Sequence, residues 1–306
     1  MPRDADFLSP RDLLINDNFC LKLASFKQLA NVIVKTENLP RDDDSLRQKT
    51  GFWESGYQIL YSYLNPIAQQ FWTVQNVALN LNETYNYTDT VCQKVLDLCD
   101  RAPDDYDKIF TDLEALRKDP DNGTLREKVL QEVNDRHSEV KSLRDQATIW
   151  SRDLHSYTMD AGDCETAVRD LAAPFQSSAL RDRLIEDDAP DNLQDDLDAL
   201  GNVKSLLDGF SMVDDMGASL EEVQKMSGSA TLIEDDIQNL VDYLDKHVDP
   251  DDNPLGGLVE RNLLKRWATL QEHGPPEDGG LAFQRHGQKA NPRVITVIAF
   301  KNAYMN

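Results

Sequence analysis

The fold is decided by the stretch from Leu60 to Leu116, which includes the run Ile67-Ala-Gln-Gln-Phe-Trp-Thr-Val-Gln-Asn-Val-Ala-Leu-Asn-Leu81. Apolar or aromatic side chains, with one threonine among them, recur through it at alternating steps of four and three residues. They are Leu60, Leu64, Ile67, Phe71, Val74, Ala78, Leu81, Tyr85, Thr88, Cys92, Val95, Cys99, Ala102, Tyr106, Ile109, Leu113 and Leu116. This alternation is typical of a helix that keeps one seam against partner helices over many turns. The stretch therefore predicts a very long helix, in which Pro66 suits the first turn and Pro103 either kinks or restarts the helix.

A second seam follows the polar run Lys118-Asp-Pro-Asp-Asn-Gly-Thr124, which is a strong turn signal. From Thr124 to Ala173 the chain has no proline and one interior glycine, Gly162. The members of this seam are Val129, Val133, His137, Val140, Leu143, Ala147, Trp150, Leu154, Tyr157, Cys164, Val168 and Leu171. Two long seams joined by a short polar turn predict an antiparallel helical hairpin.

We therefore predict an all-α fold, an elongated antiparallel bundle of about five helices built on this hairpin. The expected order begins with residues 1–54, a polar lead and a helix from Leu14 to Val34. The hairpin occupies 55–173, a head-like segment 174–231, and the helices that complete the bundle 232–272. Residues 273–306 are a linker and a tail whose run Arg293-Val-Ile-Thr-Val-Ile-Ala-Phe300 favours a short β segment.

The head-like segment is acidic and punctuated by glycines. From Leu184 to Asp198 it carries seven carboxylates and no basic residue, which predicts a helix whose outer face is nearly all carboxylate. Gly201, Gly209, Gly217 and Gly228 follow, and they predict short, looser helices that end before a clean helix from Leu232 to Val248.

The charge and cysteine content of the chain argue against several classes of partner and site. The net charge of −23 and the pI near 4.5 argue against nucleic acid and anionic lipid as partners, because both surfaces are negative. The four cysteines match no metal or redox spacing, and we expect buried free thiols. The charged start Met-Pro-Arg-Asp-Ala-Asp predicts no secretory signal, hence a protein that is cytoplasmic or released by a non-classical route.

The longest run without charge lies between Glu54 and Glu83 and comprises 28 residues. A membrane-spanning helix needs about 20 predominantly apolar residues. Asparagine, glutamine and Pro66 interrupt this run, so it favours a helix of the bundle over a membrane span.

One loop has part of a calcium-binding pattern. Asp249, Asp251, Asn253 and Glu260 occupy positions 1, 3, 5 and 12 of such a loop. Position 6 requires a glycine at positive φ, and here it is Pro254, which cannot adopt that conformation. The loop is therefore either a calcium site or simply an acidic turn between two helices, and Pro254 favours the acidic turn.

No enzyme motif is present. The sequence has no phosphate-binding glycine loop, no nucleophile elbow and no His-Glu-x-x-His. The acidic groups Asp42-Asp43-Asp44 and Glu234-Asp235-Asp236 could pair around magnesium in an all-α prenyl-transferring enzyme. However, the first group follows the helix breaker Leu39-Pro40 and suits solvated helix capping instead. We predict that the protein is not an enzyme and that it uses no cofactor.

The layout as a whole resembles a known family. A short N-terminal helix leads through Leu39-Pro40 into a long helix with Phe71-Trp72 at its middle. A second long antiparallel helix follows, and a helix carrying Trp267 comes near the end. This arrangement resembles the α-helical pore-forming toxins of the cytolysin A and haemolysin BL superfamily. Within it, the chain is most similar to the A component of the xenorhabdolysin-type binary toxins.

The resemblance implies a monomer in solution that forms an oligomer at a membrane together with a second protein component. It also implies an apolar head within 174–231. The membrane-contact candidates there are Leu206, Leu207, Phe210, Met212, Val213 and Met216. This segment departs from the family pattern because it is acidic and has no long apolar run. The alternative is a non-lytic helical scaffold that binds other proteins.

Overall fold

The computed structural model describes residues 6–85, 87–214, 216–246 and 260–273, and α-helices dominate them, as the sequence predicts. The helices are α1 (Leu23–Glu37), α2 (Asp43–Thr50), α3 (Glu54–Ile59), α4 (Tyr61–Tyr85), α5 (Tyr87–Lys118), α6 (Gly123–Ala172), α7 (Ala179–Asp187), α8 (Leu193–Asp208), α9 (Gly217–Asp245) and α10 (Glu260–His273). Two short strands, β1 (Leu14–Ile15) and β2 (Asn18–Phe19), form a hairpin near the start. The all-α helical bundle is thus confirmed.

The first seam is the buried side of α4 and α5. Every seam member whose side chain is described is buried, from Leu60 to Leu116. The 4-3 alternation keeps these side chains within a narrow stripe because a helix turns once every 3.6 residues. Most of the second seam is buried along α6 in the same way, whereas His137, Tyr157 and Leu171 are half-buried.

The hairpin between α5 and α6 is antiparallel, as predicted. Asn122 begins α6 by accepting the backbone N–H of Leu125 at 3.0 Å. Further along, Lys128 reaches Asp112 at 2.5 Å. Lys94 donates to the hydroxyl of Ser142 at 2.8 Å, so the pairs advance in opposite directions along the two helices.

Pro66 lies deeper inside its helix than predicted, and α5 does not restart at Pro103. α4 begins at Tyr61 rather than at Pro66, and α5 continues through Pro103. Each proline removes one hydrogen-bond donor from its helix. Buried neighbours such as Ala102 and Tyr106 stabilise the helical backbone around Pro103, because tertiary packing rather than local propensity supplies most helical stability.

The prediction of a helix from Leu14 to Val34 is wrong over its first part. Leu14 pairs with Phe19 across the hairpin, and α1 begins only at Leu23. Asn16 and Asp17 form the turn with φ angles of 51° and 60°. Asparagine and aspartate tolerate this left-handed conformation, and a two-residue turn of this type matches the twist of the paired strands.

The prediction of short helices between 201 and 231 is also wrong. Gly201 lies within α8, and Gly228 lies within α9, which is a single helix from Gly217 to Asp245. The boundary placed at 231 therefore falls inside a helix. Buried Val223, Met226 and Ile233 offset the cost of a helical glycine because they pack one face of α9.

The chain divides into two compact units, each assembled from separate segments. Among the described residues, the first unit contains 6–23, 87–153, 219–246 and 260–273. The second contains 24–85, 154–214 and 216–218. The tail from 293 to 300, predicted to favour a β segment, lies outside the described residues.

The core of the first unit contains a buried arginine. Arg136 is 1% exposed, and its guanidinium carbon lies 5.0 Å from the ring centroids of both Tyr106 and Trp267. Its Nη1 donates to the carbonyl oxygen of Leu98 at 3.0 Å. The cation–π contacts join α6 to α5 and α10, and they compensate part of the cost of burying the charge.

Candidate membrane-contact site

The six membrane-contact candidates lie in and around the turn that joins α8 to α9 in the second unit. We call residues 206–216 the apolar turn. Leu207, Met212 and Met216 are buried, and Leu206, Phe210 and Val213 are half-buried. The structure therefore brings the six side chains together as a packed segment rather than as an exposed patch.

Two long helices hold the apolar turn in place. The ring of Phe210 lies 6.2 Å from the ring of Phe71 on α4, centroid to centroid. On α6, one carboxylate oxygen of Glu165 accepts the backbone N–H groups of Met212 and Val213, each at 3.3 Å. Both hydrogen bonds are longer than is usual for an N–H group and an oxygen, so each holds the turn only weakly.

The exposed side of α4 carries three large apolar side chains. Tyr61, Trp72 and Leu79 are 43%, 56% and 41% exposed. Spacings of eleven and seven residues correspond to about three and two helical turns, so the three side chains lie on one side of the helix. We call this side the uncharged face, because no residue from 55 to 82 carries a charge.

An open groove runs beside the uncharged face. Its volume is about 450 Å³, and it is lined on one side by Pro66, Gln69 and Thr73 of α4. Ala167 and Leu171 of α6 line the other side, together with Asp170. The groove therefore extends the surface around Trp72 with uncharged amide and apolar groups and one carboxylate.

Consecutive residues of α4 join the apolar turn to the uncharged face. Phe71 is fully buried against Phe210, and the next residue, Trp72, is the most exposed large side chain of α4. Tryptophan and tyrosine rings suit the boundary between lipid and water, since one part of each is apolar and the other donates a hydrogen bond. α4 thus presents exposed aromatic and apolar side chains on one side and contacts the apolar turn on another.

The other sequence candidates have structural roles or lie outside the described residues. Asp249, Asp251 and Asn253 are outside them, and of Glu260 only the backbone is described, as the first residue of α10. Asp42 caps α2 in a reciprocal capping box with Ser45, as predicted for this acidic run.

Three of the remaining acids of the two groups, Asp43, Glu234 and Asp236, have partners close by. Asp43 accepts the Tyr57 hydroxyl at 2.8 Å, and burial together with this bond raises the pKa of Tyr57. Glu234 binds Arg144 at 2.5 Å, and Asp236 binds Arg11 at 2.6 Å. In the part of the chain that the structure describes, no cluster of three or more His, Cys, Asp or Glu side chains could hold a metal ion.

The cysteines are free and buried, as predicted. Burial raises the pKa of Cys20 and of Cys99 to about 12. A thiol is nucleophilic mainly as its thiolate, so these two side chains are unreactive near neutral pH.

Among the described helices, none combines the length with the apolar character that a transmembrane helix requires. In comparisons with known proteins, the sequence matches no family model, and no curated protein matches it significantly. The sequence prediction of the site did not include the uncharged face. Two features of the sequence indicate this surface: the run without charged residues from 55 to 82, and the position of Trp72 directly after Phe71 of the buried seam.

Proposed function

We propose that the protein is a membrane-assembled component of a helical pore-forming system of the binary type. In this proposal the uncharged face of α4 docks on the membrane, and the apolar turn leaves its packing site during assembly. The proposal is supported above all by the adjacency of Phe71 and Trp72 on α4, since Phe71 contacts Phe210 of the apolar turn and Trp72 is exposed on the uncharged face.

Electrostatics supports a neutral lipid surface as the target. A chain with a net charge of −23 is repelled by anionic lipid unless a basic patch offsets the repulsion. The uncharged face has no such basic patch, but it also places no carboxylate of its own against the bilayer. Tyr61 and Trp72 then supply the amphipathic rings that prefer the interfacial region.

The size of the apolar turn supports a requirement for a partner protein. Its eleven residues are fewer than the roughly 20 that a spanning helix needs. They also include Asp208 and Asp214, and a charged side chain at the bilayer centre costs about 2.5–3.5 kcal/mol on the most lenient scale. A second component, further copies of this chain, or both would therefore supply the rest of the pore wall.

Vesicle binding tests the docking step. The purified protein is sedimented with phosphatidylcholine vesicles and, separately, with vesicles containing phosphatidylserine. We expect binding to the first, weaker binding to the second, and at least a tenfold loss for the Trp72→Ser, Leu79→Ser double variant. The loss is expected because two of the three large apolar side chains of the uncharged face are removed.

Met159→Ser is the matched control, since Met159 is also highly exposed, at 59%, but lies on α6 beside Asp160. This variant should bind like the wild-type protein. If the wild-type protein bound neither vesicle, membrane docking would be contradicted, and the uncharged face would remain as a surface for a non-lytic scaffold.

A further inference from the structure

A pair of carboxyl groups lies at the contact between α8 and the start of α3. Asp196 on α8 is fully buried, and its Oδ1 accepts the backbone N–H of Trp53 at 2.7 Å. Gly56 packs directly against this carboxyl group, so closely that a Cβ at position 56 would lie 2.3 Å from Oδ2 of Asp196. The backbone at Trp53 and Gly56 therefore fits closely around the carboxyl group of Asp196.

The second member of the pair is Asp188, which directly follows α7. Its Oδ1 accepts the backbone N–H of Ala189 at 2.8 Å, and its carboxyl group interacts with that of Asp196, whose pKa it raises. With both groups ionised, the Oδ2 atoms of the two residues are buried and have no hydrogen-bond partner. Ionised carboxylates only accept hydrogen bonds, so a proton shared between the two groups is what satisfies both oxygens.

Among the residues that the structure describes, no lysine or arginine forms a salt bridge with either carboxyl group, and no cation is among the causes that shift the pKa of Asp196. Asp195, the nearest other charge on α8, accepts the indole N–H of Trp53 at 3.0 Å and adds further negative charge. Across the contact, Arg47 of α2 is paired with Glu54 of α3 at 3.4 Å. The other charged side chains of the helices packed against α8 are Asp43, Asp44 and Lys49 on α2, and Arg181, Asp182, Arg183, Glu186 and Asp187 on α7.

We propose that Asp188 and Asp196 form a proton-dependent latch, which holds α8 against α3 while the two carboxyl groups share a proton and loosens when that proton passes to water. Protonated, the pair carries one negative charge and one hydrogen bond between the groups. Deprotonated, it carries two adjacent negative charges in a buried site, which repel each other.

The direction of the pH dependence follows from the environment of Asp196. Burial, and then the hydrogen bond with Asp188, raise the pKa of Asp196 from 3.8 to about 6. A carboxyl group whose pKa is higher in the folded state binds more protons there than in the opened state. Its contribution to stability is therefore fully present at low pH and decreases as the pH rises from about 4 through about 6.

The latch does not depend on the proposed pore-forming function. Its link to that function does, because α8 leads directly into the apolar turn. Loosening of α8 near neutral pH would then make the turn easier to release.

Hydrogen exchange measured by mass spectrometry on the full chain tests the latch. Protection of the α8 amides, corrected for the intrinsic pH dependence of exchange, is compared between pH 5 and pH 7.5. We expect opening of α8 to increase about tenfold at the higher pH, as a folded-state pKa of about 6 requires. Asp188→Asn and Asp196→Asn should abolish the increase, because an amide donates the missing hydrogen bond at every pH.

Asp191→Asn is the matched control, since it removes one exposed negative charge from the same acidic run without touching the pair. It should retain the tenfold increase. The latch would be ruled out if both amide variants kept the wild-type pH dependence or if the control lost it. Vesicle binding by the same variants is read separately, so failure of the latch and failure of membrane docking give different results.

Discussion

At the scale of single residues, two arginines that share an acidic partner differ in how deeply they are buried. Arg136 contacts two neighbouring aromatic rings, and Asp105 and Glu139 lie 3.7 and 3.6 Å from its Nη1. Arg101, by contrast, contacts the same Glu139 at 2.5 Å with more than half of its side chain exposed. The two arginines share an acidic partner and differ in burial, so they allow a direct comparison.

We predict that Arg136→Met lowers the free energy of unfolding by about 3 kcal/mol, because it removes two cation–π contacts, the hydrogen bond to the carbonyl of Leu98 and the ion pairs of a buried guanidinium. Arg101→Met should cost below about 1 kcal/mol, as is typical of exposed pairs. Urea unfolding followed by circular dichroism measures both. Equal losses for the two variants would show that the aromatic contacts and burial of Arg136 add nothing.

The sequence indicates some of these residue environments and not others. The exposure of Trp72 follows from its position one residue after Phe71, which is on the seam. The burial of Asp196 does not follow, since the acidic run from Leu184 to Asp198 predicts an outer face of carboxylates. That prediction is wrong at this position because Gly56, far away in the sequence, leaves room for the carboxyl group.

At the scale of the elements, periodicity identifies the helices better than glycines and prolines identify their ends. The 4-3 seams predict the buried sides of α4, α5 and α6. Gly201, Gly228, Pro66 and Pro103 all lie inside helices, because buried side chains around them outweigh their unfavourable local propensity. Conversely, the hairpin at Asn16 and Asp17 has a local signal in its turn residues, which a helical pattern across Leu14–Val34 obscures.

Two glycines give opposite predictions. A Cβ added at Gly228 meets no atom within 4 Å, so Gly228→Ala should raise the free energy of unfolding by about 0.5–1 kcal/mol through the better helix propensity of alanine. Gly56→Ala should lower it by about 1–3 kcal/mol, because the new methyl group overlaps the Asp196 carboxyl group. Thermal melting of both variants provides the test. Stabilisation by Gly56→Ala would contradict the tight packing described for that site.

At the scale of the whole molecule, the seams show which sides of the helices are buried but not which helices pack together. Each compact unit is assembled from segments that are distant in the sequence, and no local pattern encodes that pairing. The elongated shape of the bundle and its division into five consecutive segments stay predictions. The calcium-binding loop between Asp249 and Glu260 also stays a prediction. The proposed function belongs to this scale as well, since it requires membrane docking, release of the apolar turn and a partner protein to act together.

The measurement that tests the proposed function most directly is dye release from phosphatidylcholine vesicles. The purified protein is assayed alone and together with the protein encoded next to it. We predict release when both components are present, with loss of release for the Trp72→Ser, Leu79→Ser variant and retention for Met159→Ser. No release in any combination, with the protein remaining dispersed beside the vesicles, would contradict the pore-forming account.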